Sequence, residues 1–189
     1  MSKELKAIQQ QLISLSAKSN HSHFEKMIPG SAKIYGVKTP DLNIIVQKYK
    51  AGSFTLAEEL WNSGWLEERI IAIKIMEKTG KDDPKRLLKL FKQFSKSADN
   101  WAVCDGLGMQ FLRGIVKSHS KEIFALAKKY SSSGNIWQRR LSLVMIERYT
   151  RAKGHRPEIK KIVEKLEGDD EYYVKKAVIW IKKNFEKGK

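Results

Sequence analysis

The sequence predicts an all-α chain of stacked helix pairs. Three observations carry that expectation: apolar residues recur at helical spacing, helix breakers fall between those runs, and one aromatic position returns at a fixed interval.

Breakers are sparse. Only four prolines and twelve glycines occur in 189 residues, and most separate segments with apolar residues at i, i+3, i+4 and i+7. Ser53 before FTLAEELW, Asp83-Pro84 before KRLLKLF and Arg156-Pro157 before EIKKIVEKL have the chemistry of helix starts. A Ser or Asp side chain accepts from an orphan N–H there, and Pro fits the first turn. Gly80, Gly134, Gly154 and Gly168 stand where helices should end. About ten helices are expected, mostly about 10–18 residues long. Residues 1–50 should hold the N-terminal helices and 53–187 about four helix pairs, within one domain spanning 1–189.

The repeat emerges when the aromatics are aligned. Trp65 in GWLEER, Trp101 in NWAVCD, Trp137 in IWQRRL and Tyr173 in YYVKKA lie 36 residues apart in succession. Each opens a helix that follows a shorter amphipathic one, and a period near 36 lies in the range of HEAT-type solenoids. The expected architecture is a right-handed α-α superhelix whose second helices line a concave groove. Positions 0, +3, +4 and +7 from each aromatic share a helix face. They hold Trp101, Cys104, Asp105 and Gly108, then Trp137, Arg140, Leu141 and Val144, then Tyr173, Lys176, Ala177 and Trp180. The charged members make this a poor core stripe, so it is read as the lining of the groove.

Charge supports a polyanionic partner. The net +16 divides as +5 over residues 1–50, +1 over 51–100, +5 over 101–150 and +5 over 151–189, so no single tail carries it. A basic excess spread through folded segments suits a surface that follows phosphates. A lone cysteine, Cys104, excludes an internal disulfide and suggests a reducing compartment; beside Asp105 it reads as a small buried residue at a helix interface. His21, His23, His119 and His155 lack metal-ligand spacing, so no metal is expected. No apolar stretch reaches bilayer length, and MSKELKAIQQQL is charged where a leader needs apolar residues. A cytoplasmic monomer without membrane contact is expected.

NWAVCD, NIWQRRLSL and YYVKKAVIWIKK together resemble the three functional segments of the AlkD-like alkylpurine DNA glycosylases, in order and in spacing. IYGVKTPDL and GWLEERIIAIKIM resemble further segments of that family, which extends the similarity from about residue 30 to the end. The resemblance implies a lesion site of Trp101, Asp105, Arg140 and Trp180. It also implies duplex DNA as partner, no cofactor, and excision of cationic N3- or N7-alkylpurines without flipping the base. The chain departs from the family pattern at Ile179, where glycine is common, at Lys183, where arginine is common, and in ending nine residues after Trp180.

The residues suit that chemistry. An alkylated purine is already cationic and can leave neutral, so the remaining task is to stabilise the oxocarbenium ion, which one carboxylate can do. Asp105 is the candidate, the only acidic residue from Ala102 to Lys121; read alone, it is more simply a helix-surface carboxylate paired with a nearby base. Trp101 and Trp180 would turn ring faces to the developing charge. Arg140 would clamp a phosphate, with Arg139, Lys175, Lys176 and Lys183 as further DNA contacts. Two other readings stand beside this one: a DNA-binding relative without excision that recognises distorted or branched DNA, and a helical adaptor for a protein partner.

Overall fold

A computed structural model describes residues 1–16, 28 and 33–187; the expectation for His21 and His23 lies outside these. Among the described residues there are ten α-helices and no strand. The all-α expectation holds. The chain divides into two compact units, Met1–Phe94 and Ser95–Lys189.

The first unit holds α1 (Lys3–Ser16), α2 (Thr39–Lys48), α3 (Phe54–Asn62), α4 (Leu66–Thr79) and α5 (Pro84–Phe94). Its helix starts are the ones expected from side-chain chemistry. The Ser53 hydroxyl accepts from Leu56 N at 3.1 Å, and Asp83 Oδ1 accepts from Arg86 N at 3.0 Å. α3 and α4 form a pair joined through Gly64, whose φ of +79° is a conformation that a side chain would strain. Trp61 stacks on Phe94 with centroids 4.1 Å apart, and Ile8, Leu12, Leu60, Ile71 and Ile75 fill the core.

The second unit holds α6 (Trp101–Gly106), α7 (Ser120–Tyr130), α8 (Ile136–Val144), α9 (Arg156–Leu166) and α10 (Tyr172–Lys187). Here α8 is central and packs on α6, α7, α9 and α10, while α7 also meets α9. Two asparagines start the helices that matter most. Asn100 Oδ1 accepts from Val103 N at 3.0 Å, and Asn135 Oδ1 accepts from Trp137 N at 2.9 Å.

The aromatic register marks helix starts in both units: Trp65 stands just ahead of α4, Trp101 opens α6, and Trp137 and Tyr173 stand second in α8 and α10. Three helices fall short of the expected length, α3 and α8 by a single residue with nine each and α6 by far more. α6 has only six residues and runs into a π turn at Leu107–Phe111. Gly106 and Gly108 weaken the helix, and packing against α8 settles its path.

Candidate active site

The site lies within the second unit and is built on an ion pair. Arg140 donates from Nε to Asp105 Oδ1 at 2.8 Å and from Nη2 to Oδ2 at 2.7 Å, a bidentate fork. Its Nη1 donates to the Tyr173 carbonyl oxygen at 2.7 Å. One guanidinium thus ties α6, α8 and α10 together. The two partners differ in exposure: the Arg140 side chain is 11% exposed and that of Asp105 27%. Burial works against the arginine's charge, yet the hydrogen bond and charge of Asp105 more than compensate, and its pKa rises above the ordinary value.

Local packing sets this geometry. Cys104 is fully buried, and its Sγ donates to the Trp137 carbonyl at 3.4 Å, so the residue before Asp105 lies against the backbone of α8. Burial pushes the Cys104 thiol well up, with the Asp105 charge adding to it, and the group stays a thiol. Gly108 lets the π turn approach α8. A Cβ there would lie 2.7 Å from Val144 Cγ1 and 2.9 Å from the Met145 backbone nitrogen.

The +3, +4 and +7 stripe needs correction. Cys104, Gly108, Arg140, Leu141, Val144 and Ala177 are buried. A flank of each helix is consumed by its neighbour, and the arginine is tolerated there because Asp105 neutralises it. The stripe members that reach the surface are Trp101, Asp105, Trp137, Tyr173, Lys176 and Trp180. Trp137 packs on Tyr173 with centroids 5.0 Å apart. Trp101 is half-buried one turn before Asp105, and Trp180 is half-buried two turns beyond Tyr173 on α10.

The basic candidates fall into two groups. Arg139 donates to Asp169 at 2.6 Å and to the carbonyls of Ser133 and Gly134, so its guanidinium braces the chain ahead of α8 and α10. That pairing and the Glu171 backbone N–H outweigh the burial of Asp169 and hold its carboxyl below the usual range. Lys175, Lys176 and Lys183 are exposed on α10; Lys175 lies 3.7 Å from Asp170, and Lys176 sits over the Tyr172 ring. Among the described residues no His, Cys, Asp and Glu cluster suits a metal, and no helix is long and apolar enough to cross a membrane.

Sequence reasoning missed the Tyr173 carbonyl and Asp169. The repeat offers the one signal that finds such partners, because residues about one period apart fall on neighbouring helices. Asp105 and Arg140 are 35 apart, Arg140 and Tyr173 33, and Arg139 and Asp169 30.

A search of curated proteins finds no significant match. The family model described as DNA alkylation repair enzyme matches residues 8–186, and the protein therefore belongs to the DNA alkylation repair enzyme family.

Proposed function

We propose that the protein is a DNA glycosylase that excises cationic N3- or N7-alkylated purines from duplex DNA, with Asp105 as its essential carboxylate. The observation that carries the reading is a carboxylate held by a single arginine and still partly open, on a helix that begins at Trp101. Family membership supplies DNA as the substrate.

In this reading the bond from C1′ to the purine nitrogen breaks, its electrons neutralise the alkylated base, and the sugar is left as an oxocarbenium ion. Asp105 stabilises that ion and orients the water that adds to C1′; the water's proton passes to solvent. Arg140 fixes the carboxylate through both oxygens, each of which keeps a further lone pair for the sugar or the water. Trp101 and Trp180 contribute ring faces toward the cation. Lys175, Lys176 and Lys183 contact phosphates, which positions DNA without reading its sequence. No cofactor is required, since the leaving group is activated by its own alkylation.

The same ion pair favours a second reading, a DNA-binding relative without excision, because the guanidinium cancels part of the charge the chemistry would use. Released base separates the two. Purified protein incubated with methylated duplex DNA should free N3- or N7-methylpurine, and Asp105→Asn should slow release by about 100-fold or more while DNA binding persists. Equal release by the variant would remove Asp105 from the chemistry. Binding with no release by the wild type would establish the second reading.

A further inference from the structure

The second unit carries a cavity of about 550 Å³ between α7 and α9, and none of its lining residues belongs to α6, α8 or α10, the helices that hold Asp105, Arg140 and Tyr173. Its volume lies in the range of ligand-binding clefts. The floor is apolar, with Phe124 and Ile162 at the helix interface, and Phe124 stacks on His155 at 4.9 Å.

The rim is basic. Lys121 and Lys128 stand two turns apart on α7, and Lys161 and Lys165 one turn apart on α9. Among the described residues Lys121, Lys128 and Lys161 have no carboxylate partner, and Lys165 is held by the Ser132 hydroxyl. The one lining carboxylate, Glu158, lies against His155. The arginines of α8 are the opposite case, since each is neutralised by an aspartate. Four ammonium groups around one cleft repel one another unless an anion lies among them.

We propose that the α7–α9 cleft is a second nucleic-acid site, one that takes a single-stranded segment with phosphates on the lysine rim and a base against the apolar floor. A strand fits better than a mononucleotide because the lysines are spread along both helices. Only a polyanion engages all four. It fits better than a duplex because the floor needs an unstacked base face. The site goes beyond the excision reading, which uses other helices.

The probe is a fluorescently labelled oligothymidylate, which contains no purine to excise. Binding by anisotropy should weaken at least about tenfold in the Lys121→Glu, Lys161→Glu double variant, with the salt slope falling by about 0.7 for each lysine lost. Circular dichroism checks that the variant is folded; all four lysines are exposed. A milder Lys161→Gln variant gives the same direction if the double variant does not fold. The lining contains no tryptophan, so binding should leave tryptophan emission unchanged while shifting the His155 ring resonances. Thymidine monophosphate should compete only at far higher concentration. Unchanged affinity in the variants, equal competition by the mononucleotide or by polyglutamate, or quenching of tryptophan without a shift at His155 would each overturn the proposal. None of these outcomes bears on release of methylpurine, so the two readings fail separately.

Discussion

Glu67 and Asp105 each follow a register aromatic into a helix, one in each unit, and the structure treats them in opposite ways. Glu67 is 1% exposed and accepts from the backbone N–H groups of Tyr35, Gly36 and Val37 at 3.0, 2.7 and 3.1 Å. Three successive donors converge because Gly36 has a φ of +78°, which turns the chain into an anion-holding nest. Its neighbour Glu68 is fully buried and takes the Tyr35 hydroxyl and Gln9. Burial, then the hydrogen bond to Glu68, pushes the Tyr35 phenol far up. Asp105 has one guanidinium and an open side. A carboxylate whose lone pairs are consumed by the fold is a strut, whereas one held from a single direction keeps capacity for a substrate.

The largest effect expected from this contrast is on folding. Glu67→Ala strands three buried N–H groups and should remove about 3–5 kcal/mol of stability in urea unfolding, without altering release per folded molecule. Asp105→Asn should lose less, about 1–3 kcal/mol, because solvent reaches its side of the pair. It does carry a folding penalty, since it leaves the buried Arg140 without its counter-charge. If Glu67→Ala lost no more than an ordinary surface change, about 0.5 kcal/mol, the division into strut and site would collapse.

Gly108→Ala probes how the open carboxylate is placed. Its methyl group meets the stiff, branched Val144 side chain and the backbone at Val144 and Met145, none of them a flexible side-chain end, so overpacking should cost about 1–3 kcal/mol. The shift moves α6 against Arg140, and release measured well below the melting temperature should drop further than stability does. Equal losses in both would mean that Gly108 serves packing alone.

The smallest effect concerns pH. Tyr149 donates to the Val116 carbonyl, and burial pushes its phenol up to about 12. A raised acid favours the neutral form in the folded state, so its contribution is present below the unfolded value near 10 and is lost as pH climbs toward 12. Denaturant titrations across that window should show wild-type stability falling by about 1 kcal/mol per pH unit more than in Tyr149→Phe. Parallel curves would show that Tyr149 does not gate alkaline unfolding.

Much of the scaffold was legible because its causes are local. Ser53 and Asp83 cap helices through their own side chains, and the aromatic register coincides with four helix starts. Cys104 was read as buried and is. The plain reading of Asp105, a carboxylate paired with a nearby base, describes its ground state, while the reading of Arg140 as an open phosphate clamp overlooked its burial. Nothing local distinguishes Arg139 from Arg140; one braces Asp169 and the other Asp105 because helical rotation sends them to different neighbours.

The sequence by itself determined an all-helical chain, its period, where its helices begin, and a basic charge that no single segment carries. Caps, breakers and apolar spacing act within a few residues, so each is written where it operates. Only the tertiary structure decided that α6 stops after six residues, that Glu67 is sealed while Asp105 stays open, and that four lysines surround one cleft. Those outcomes depend on donors and backbones that lie about 30 residues or more away along the chain, and only close packing between helices brings them within hydrogen-bond reach.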